Sequence, residues 1–473
     1  MPHDAAPVLA EIDRTLDASL ARLVEFLRIP SVSTDPAFAP QVRRCAEWIA
    51  GQLRECGFET TVHATRGHPM VTAKAPGPSV TAPRILYYGH YDVQPPDPLD
   101  LWESPPFEPA IREGPHGRQV VARGAVDDKG QVMTFVEAFR AWKKVHGSFP
   151  CAITVVLEGE EESGSPSLVP FVESHAKLLA ADTCVVCDTG MWDIDTPAIT
   201  AMLRGLVYAE IVLKGPSHDL HSGMYGGTLR NPINALASMI AELHDRRSRV
   251  TLCGFYDRVI PIPADLASKW KALPFDENDF LSTAGMRAGW GEEGFSMLER
   301  MWARPTCDCN GILGGYTGVG GKTVIPAVAS TKVSFRLVPD QSPAEVFDAL
   351  DDFVRAHTPE GFRAEVIRHS GSPAVRVPID SPWLAAASRG LERVYRVKPA
   401  IIGTGGSIPA VGDFRRILGI DALLVGFGLD DDRVHSPNEK FEVTCLERGI
   451  RSHAAMLEEF ARTPRSAPGG GAE

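Results

Sequence analysis

The sequence predicts an α/β protein in which a mostly parallel sheet domain carries an inserted α+β sandwich domain. Apolar runs of strand length alternate with amphipathic helical segments from about residue 57 to residue 203. Near-continuous apolar runs are typical of strands that are buried on both faces of a helix-covered sheet. From about residue 205 the strands alternate in polarity instead, which indicates a second domain.

The main domain is predicted to begin with two amphipathic helices. Apolar residues recur at helical spacing over residues 9–26 and 41–56, and Gly57 ends the second pattern. Further helices are predicted over residues 132–145 and 383–395. Because the last of these lies beyond the insertion, we expect the chain to return to the main domain there.

The inserted domain is predicted from five elements that alternate between strand and helix. In chain order they are strand 206–213, helix 232–243, strand 331–337, helix 343–356 and strand 363–368, with residues 249–325 unassigned. The expected organisation is the first part of the main domain at 1–204, the inserted domain at 205–378, the second part of the main domain at 379–462 and a disordered tail at 463–473.

Length and composition limit the classes of function. At 473 residues the chain is long for a single core, so two domains are expected. The formal net charge of −12, without a basic stripe, argues against nucleic acid as a partner. No window approaches the roughly 18 consecutive apolar residues of a membrane span. Residues 1–20 include several acidic side chains and do not resemble a signal peptide. We therefore expect a cytoplasmic protein that does not bind membranes.

The nine cysteines are odd in number and lack the spacing of a disulfide framework. Cys184 and Cys187 should face opposite sides of a strand and therefore should not chelate one metal. Cys307 and Cys309 have no second pair to complete a zinc site. We expect all nine to be reduced structural thiols.

Five apolar segments lead into acidic residues or a histidine. They are 84–88 before His90 and Asp92, 120–122 before Asp127 and Asp128, 153–157 before the Glu158–Glu162 cluster, 184–187 before Asp188, and 422–426 before the loop that contains His435. In parallel sheets, ligands and catalytic groups gather outside the carboxyl ends of the strands. Two histidines and several carboxylates are therefore expected to converge, and these are the donors of a metal site.

Each of these signals has another interpretation when it is taken alone. His90 and Asp92 could form a turn hydrogen bond, and the acidic cluster 158–162 could be a solvated loop. Asp127 and Asp128 could cap the helix that follows them. Only their shared position after apolar segments favours a metal site.

Four short stretches carry a resemblance to a known family. They are residues 89–95 (Gly-His-Tyr-Asp-Val-Gln-Pro), 124–130 (Gly-Ala-Val-Asp-Asp-Lys-Gly), 161–165 (Glu-Glu-Ser-Gly-Ser) and 435–439 (His-Ser-Pro-Asn-Glu). In this order they resemble the dinuclear zinc metallopeptidase family of carnosine dipeptidase, cytosolic nonspecific dipeptidase, succinyl-diaminopimelate desuccinylase and acetylornithine deacetylase. The resemblance covers nearly the whole chain and is closest to the dipeptidase branch. It implies that the main domain is catalytic and that the inserted domain is a lid and dimerisation domain.

The resemblance also implies a site for two divalent metal ions per chain, with zinc expected and manganese or cobalt as alternatives. The implied ligands are His90 and Asp188 for one ion, Glu162 and His435 for the other, and Asp127 as a bridge between them. Asp92 would orient His90, and Glu161 would be the general base for the water that the two ions share.

Further contacts are implied for the substrate. His221 matches a histidine that stabilises the carbonyl oxygen across a dimer interface, so a homodimer through the inserted domain is implied. Arg336 matches the arginine that binds a substrate carboxylate, and Thr323 and Ser407 match its other contacts. Without the resemblance, His221 would be a surface histidine and Arg336 a partner in a salt bridge on a strand.

The expected function is metal-dependent hydrolysis of the amide bond of dipeptides, with small peptides as substrates. The alternative is a deacylase of N-succinyl or N-acetyl amino acids, although the long inserted domain and the His221 stretch favour the dipeptidase branch. A non-catalytic relative should have lost a ligand or Glu161, and neither is lost. One departure is Thr404, where the family often has an acidic residue, and it bears on recognition of the substrate's amino end.

Overall fold

The structure is a computed structural model that describes residues 4–465 and divides them into two compact units. The first unit comprises residues 4–201, 377–401 and 413–465, and the second comprises 202–376 and 402–412. The sequence predicts the inserted domain at 205–378, so residues 402–412 are an addition to it. Of the tail predicted at 463–473, residues 466–473 lie outside the described residues. Thr463 is buried and Arg465 forms an ion pair with Asp182 at 3.0 Å, so the packed chain continues to Arg465.

In chain order, the helices are α1 (Ala5–Leu27), α2 (Ala39–Glu55), α3 (Lys129–His146), α4 (Leu168–Ser174), α5 (Ala176–Leu179), α6 (Ser222–Tyr225), α7 (Pro232–Ala241), α8 (Ala264–Lys271), α9 (Glu277–Thr283), α10 (Met297–Trp302), α11 (Pro343–His357), α12 (Pro382–Tyr395), α13 (Pro409–Leu418) and α14 (Val443–Ala461). The strands are β1 (Glu59–His63), β2 (Met70–Ala75), β3 (Arg84–His90), β4 (Ala110–Gly114), β5 (Gly117–Val121), β6 (Ala152–Glu158), β7 (Thr183–Val186), β8 (Ala198–Leu203), β9 (Gly205–Lys214), β10 (Leu220–His221), β11 (Thr306–Gly314), β12 (Val324–Ile325), β13 (Val328–Leu337), β14 (Arg363–Ser372), β15 (Val375–Arg376), β16 (Ala400–Thr404), β17 (Ala422–Leu424) and β18 (Lys440–Glu442).

The main sheet of the first unit has a parallel centre and antiparallel flanks. Its strands follow one another in the order β1-β2-β6-β3-β7-β17-β8. The four central strands, β6, β3, β7 and β17, are parallel, whereas β1, β2 and β8 pair antiparallel. The predicted α/β class with a mostly parallel central sheet is confirmed. The carboxyl ends of β3, β6 and β7 therefore lie at one edge of the sheet.

Helices α1, α3, α12 and α14 pack against one another, and aromatic side chains join α3 to the sheet. The ring of Tyr87 on β3 lies 5.2 Å from that of Phe135 and 5.0 Å from that of Phe139, both on α3. All three side chains are fully buried, and such pairs add to the free energy gained by burial of apolar area. This packing fixes α3, and the residues just before its first turn form one side of the site described below.

One strand prediction needs correction. The apolar run 120–122 does not join the main sheet: β5 pairs antiparallel with β4 and β18 in a separate three-stranded sheet. Strands β4 and β5 are joined by the two residues 115–116, and Gly117 adopts a φ of +102° that suits a tight turn. A local hairpin of this kind forms without the crossover that a parallel strand requires. Asp127 thus follows a turn that leads into α3, and not a strand of the main sheet.

The second unit is built around a four-stranded antiparallel sheet in the order β11-β13-β9-β14. Helices α7 and α11 pack on this sheet, and its core contains Ile211, Leu236, Phe335 and Leu350. All five predicted elements are present. Strand β11 and helices α8–α10 lie within the stretch that the sequence left unassigned.

No helix of residues 4–465 combines the length and the apolarity needed to cross a bilayer. All nine cysteines lie within these residues and none forms a disulfide, as expected.

Candidate metal centre

The predicted metal ligands meet in the first unit, near the carboxyl ends of the parallel strands. His90 is the last residue of β3, and Asp188 lies just after β7. Glu162 lies in a short 3₁₀ turn after β6, Asp127 precedes α3, and His435 lies in the loop between β17 and β18. Strand ends, a 3₁₀ turn, the segment before a helix and a loop between strands therefore bring two imidazoles and three carboxylates together.

The carboxylate of Asp127 lies between the two histidines. Its Oδ1 is 3.1 Å from Nε2 of His90, and its Oδ2 is 2.9 Å from Nε2 of His435. Nε2 of His435 also lies 3.3 Å from Oε2 of Glu162. One carboxylate therefore presents a separate oxygen to each side, as a bridging ligand must.

The donors form two groups that share Asp127. His90, Asp127 and Asp188 make up one group, and Asp127, Glu162 and His435 the other, with the ligand atoms within 4.8 Å of one another in each. Each group offers one imidazole nitrogen and two carboxylate oxygens, a set that suits zinc and similar divalent cations. Three protein donors leave a coordination position open, as catalytic sites require. The residues thus fit two divalent cations.

Asp92 fixes the ring of His90 and also holds the turn after β6. Nδ1 of His90 lies 3.1 Å from the backbone oxygen of Asp92 and 3.4 Å from its Oδ1. The first contact is the turn hydrogen bond that the sequence offered as an alternative to a metal site. It is present together with the contact of the same ring with Asp127. The carboxylate of Asp92 also accepts hydrogen bonds from the backbone N–H groups of Glu161 at 3.3 Å and Glu162 at 3.1 Å.

The acidic cluster 158–162 is not a solvated loop, because its members divide between the interior and the site. Glu158 is fully buried and accepts a hydrogen bond from the Tyr88 hydroxyl at 2.6 Å. Glu160 is also buried, and its carboxylate accepts from the backbone N–H groups of His68 at 2.7 Å and Ser167 at 2.9 Å. With these two residues anchored inside, Glu161 and Glu162 are left at the site.

Strong charge coupling surrounds Asp127. Burial opposes charge on His90, but hydrogen bonds to Asp127 and Asp92 outweigh it and raise the His90 pKa well above its usual value. Hydrogen bonds to Asp127 and Glu162 raise the pKa of His435 to about 10. The same contacts outweigh the burial of Asp127 and hold its pKa below the ordinary range. Asp127 is therefore an ionised carboxylate that attracts positive charge on both sides.

The other carboxylates crowd one another. Removal from water raises the pKa of Glu161 to about 9; His90 opposes this, while Asp188 and Glu162 add to it. Although part of its side chain reaches solvent, the surrounding protein raises the pKa of Asp188 to about 7, and the charge of Asp127 adds to the effect. Divalent cations beside these groups would favour their ionised forms.

Two acidic residues at the site had no role assigned from the sequence. Asp128 occupies the helix-cap position of α3 without making a capping hydrogen bond, and its Oδ2 accepts instead from the backbone N–H of His90 at 3.0 Å. Glu439 is fully buried and contacts the turn before Asp127. Its place in the stretch 435–439 was the only sequence signal for it.

In the second unit, two pairs of the predicted substrate contacts lie together. Nη1 of Arg336 donates to the Ser407 hydroxyl at 3.1 Å, and that hydroxyl donates to the backbone oxygen of Arg204 at 2.7 Å. These bonds attach residues 402–412 to the second unit. Burial, and then the charge of Arg336, lower the pKa of Arg204 to about 10. Sequence reasoning missed Arg204.

His221 and Thr323 form the second pair. Strand β10 pairs with β12 so that His221 lies opposite Val324, the residue after Thr323, and the N–H of Ser222 donates to the Thr323 backbone oxygen at 3.1 Å. Nδ1 of His221 accepts from the backbone N–H of Gly223 at 3.0 Å.

Comparison with known proteins gives similarity along almost the whole chain. Residues 86–459 match the model of peptidase family M20/M25/M40. The chain is 30% identical to the Cys-Gly metallodipeptidase DUG1 of Candida albicans, over 96% of this chain and 97% of that relative. An M20 family metallo-carboxypeptidase, Sso-CP2 from Sulfolobus solfataricus, is 31% identical with a TM-score of 0.84, covering 94% of this chain and 99% of that one. Human carnosine dipeptidase 1 is 28% identical with a TM-score of 0.82, covering 98% and 100%.

These similarities confirm the resemblance to the metallopeptidase family and its dipeptidase branch, and they confirm that the protein is a hydrolase. The chain belongs to peptidase family M20/M25/M40.

Proposed function

We propose that the protein is a dipeptidase that uses two divalent cations to activate water, with Glu161 as the general base. The observation that carries the proposal is the position of Asp127, whose two carboxylate oxygens face different histidines. A structural site for a single ion would not need a carboxylate with donors on both sides. Relatives that are named as metallodipeptidases, and that are similar to this chain along nearly their whole length, support the same reaction.

In this proposal the residues that hold the cations are His90 and Asp188 on one side, Glu162 and His435 on the other, and Asp127 between them. When bound, the cations lower the pKa of a water molecule and polarise the carbonyl of the scissile amide. Glu161 takes the proton from that water and passes it to the leaving amine. Asp92 supports this role because it holds the backbone of Glu161 and Glu162.

The substrate carboxylate is assigned to Arg336, with Ser407 and Thr323 as further contacts. The hydrogen bond from Arg336 to Ser407 fixes one edge of the guanidinium and leaves other N–H groups for a carboxylate. The substrates in the names of two relatives, Cys-Gly and β-Ala-His, both carry a free carboxylate and a free amine. We therefore propose unmodified dipeptides as substrates, with Thr404 altering the contact to the amino end.

His221 is proposed to donate a hydrogen bond to the carbonyl oxygen as it gains charge. Because Nδ1 accepts from Gly223, the neutral ring carries its proton on Nε2 and can donate from there. A Cβ at Gly223 would come within 2.9 Å of Cε1 of His221, so a glycine permits this contact. The hydrogen-bonded ring is thereby oriented as a donor, which electrostatic stabilisation of an oxyanion requires.

A homodimer through the second unit is proposed to bring His221 to the active site of the partner. Strand β11 is an edge strand of its sheet, and Ile312 and Leu313 are 62% and 67% exposed. Met224, close to His221 in the chain, is also exposed. Exposed edges and apolar patches of this kind are usually covered in soluble proteins, which favours a second copy of the chain as the cover.

Zinc is proposed as the metal because imidazole and carboxylate donors suit it, with manganese and cobalt as the alternatives. A cytoplasmic location is proposed because the nine cysteines are unpaired, as in a reducing compartment. Metal analysis of protein purified without added metal and cell fractionation test these two proposals.

A substrate panel tests the proposed function. The metal-stripped protein would be reloaded with zinc, manganese or cobalt and given Cys-Gly, β-Ala-His and other dipeptides beside N-succinyl and N-acetyl amino acids. The proposal expects kcat/KM to be highest for dipeptides and to vanish on metal removal. Preference for the acyl amino acids would establish the deacylase alternative, and activity without metal would contradict both.

A further inference from the structure

The carboxylate of Glu439 is fully buried and accepts hydrogen bonds from four donors of a single turn. Its Oε1 accepts from the backbone N–H groups of Val126 at 3.0 Å and Asp127 at 3.1 Å. Its Oε2 accepts from the backbone N–H of Gly124 at 2.9 Å and from Nη1 of Arg123 at 2.7 Å. One side chain therefore accepts from three of the four backbone N–H groups of residues 124–127, the segment that leads to Asp127.

The backbone of Glu439 is tied to the same turn. The N–H of Ala122 donates to the backbone oxygen of Glu439 at 3.0 Å, which extends the pairing of β18 with β5. Arg123, which is also buried, places a positive charge directly against this buried carboxylate. The contact is thus built from both main chain and side chain, and it does not depend on a flexible surface group.

The loop that carries His435 is closed just beside Glu439. The N–H of Lys440 donates to the Asp432 backbone oxygen at 3.0 Å, and Nζ of Lys440 lies 2.7 Å from Oδ1 of Asp432. His435 lies within this closed loop and has a φ of +59°. Glu439, at the end of the loop, therefore connects the segment that presents His435 to the turn that presents Asp127.

We infer that Glu439 is the positioning residue for Asp127: its four hydrogen bonds orient the turn so that each Asp127 oxygen faces a different metal position. The inference rests on the proposed function, because it concerns the cations that Asp127 is proposed to bridge. Since both metal positions share Asp127, loss of Glu439 should weaken the binding of both cations together. Loss of the His435 loop alone would weaken the binding of only one cation, the one at the position that His435 shares with Glu162.

The test compares Glu439→Gln with Glu458→Gln in the full-length, metal-stripped chain. Glu458 is the control, because it is also buried and accepts from a backbone N–H, that of Ala5 at 3.0 Å, and from two arginines, Arg393 and Arg462. A glutamine at 439 retains one acceptor and turns an N–H₂ group towards N–H donors. Zinc dissociation constants would be measured by competition with a chromophoric chelator, and melting temperatures on the same metal-free samples.

We expect Glu439→Gln to raise both zinc dissociation constants by about 10- to 100-fold, the range for loss of a residue that orients a metal ligand. Glu458→Gln should lower the melting temperature by a similar amount and leave both constants unchanged. If Glu439→Gln does not fold, the double variant Arg123→Gln with Glu439→Gln removes the facing guanidinium, and the same loss of affinity is expected.

Zinc constants within threefold of the wild type, or a loss at one position only, would overturn the inference. Asp127→Ala separates this outcome from failure of the proposed function. If Asp127→Ala releases both ions while Glu439→Gln keeps them, the metal centre stands and the role of Glu439 falls. If Asp127→Ala keeps both ions, the proposed metal centre itself is wrong.

Discussion

Oδ2 of Asp92 accepts a hydrogen bond from the backbone N–H of Glu162 at 3.1 Å, across two different strand ends. Asp92 follows β3, whereas Glu162 follows β6, the parallel neighbour of β3. The same carboxylate lies against His90 through Oδ1. A residue expected only to orient His90 therefore also fixes the position of the turn that contains Glu161 and Glu162.

Asp92→Asn should lower both metal affinity and turnover. The amide leaves one acceptor for three contacts, so the ring of His90 and the 3₁₀ turn lose part of their support. We expect kcat to fall about 10- to 100-fold and zinc to bind more weakly. Steady-state kinetics at saturating zinc, together with chelator competition, measures the two effects; an unchanged kcat would show that the turn after β6 holds its position without Asp92.

Glu161→Gln should keep the bound metals and abolish dipeptide hydrolysis, because an amide cannot take up the proton of the attacking water. Elemental analysis and the dipeptide assay measure these outcomes. Glu160→Gln is the control: Glu160 is buried and holds the backbone of His68 and Ser167, so this change should reduce stability with kcat retained within a few-fold. Hydrolysis by Glu161→Gln within tenfold of the wild type would remove Glu161 from the role of base.

Strand ends could be predicted from the sequence, and they account for His90, Glu162 and Asp188. Their strands are buried apolar runs whose carboxyl ends lie at one edge of the sheet, and apolar runs of this kind can be recognised in the sequence. Asp127 was expected by the same argument for a reason that was wrong, since β5 belongs to the small antiparallel sheet. Its approach to His90 depends on the turn 122–127, whose long-range partner Glu439 leaves no periodic signal.

Strand β11 was missed because its residues resemble a loop. Asp308, Asn310, Gly311 and Gly314 are all types that are rare in strands, and most of the strand is exposed. Pairing with β13, which includes an irregularity between Cys309 and Gly311, overrides these preferences. Arg204 was missed for a different reason, since Ser407, which donates to its backbone oxygen, is distant along the chain.

Arg336→Lys should raise KM for dipeptides while changing kcat less. Lysine keeps the charge but loses the planar fork and the fixed bond to Ser407. A charge-assisted hydrogen bond contributes about 1.5–3 kcal/mol, so kcat/KM should fall about 10- to 100-fold. Dipeptide amides, which lack the carboxylate, should be hydrolysed equally by wild type and variant. Arg368→Lys, at an exposed pair with Asp348, is the control, and an equal loss on amides would contradict the assignment.

His453 should make the protein less stable in acid. The ring is fully buried among Tyr87, Phe135 and Phe427, and burial lowers its pKa to about 3. The unfolded chain binds a proton at this histidine below about pH 6.5, whereas the folded chain does not until about pH 3. The folded state therefore loses stability as the pH falls from 6.5 towards 3.

The measurement compares His453→Gln with the wild type, both metal-free, by urea unfolding at pH 7.5 and pH 5. Over this interval His453 should cost the wild type about 2 kcal/mol that the variant does not lose. The variant is expected to be less stable at pH 7.5, because it loses its ring contacts, but its stability should depend less on pH. Equal pH dependence in the two proteins would show that His453 does not titrate in this way.

The location at which His221 acts can be tested by mixing two inactive proteins. His221→Ala and Glu161→Gln chains would be combined under conditions that allow subunits to exchange, and dipeptide hydrolysis would be followed. If His221 serves the partner, a heterodimer has one site that lacks both groups. Its other site has an intact Glu161 and receives an intact His221, so about half of the activity of a wild-type dimer should return.

If His221 instead serves its own chain, every site in the mixture lacks one group and no activity returns. The oxyanion contact contributes about 100- to 1,000-fold in rate, so recovery should be clear above the activity of His221→Ala alone. Native mass spectrometry of one labelled chain establishes that exchange has occurred. A mixture of Glu161→Gln with the active control Arg368→Lys shows how mixing alone changes the activity. Exchange without recovery would show that His221 acts within its own chain or takes no part in the reaction. The dimer would then not be needed to complete the active site.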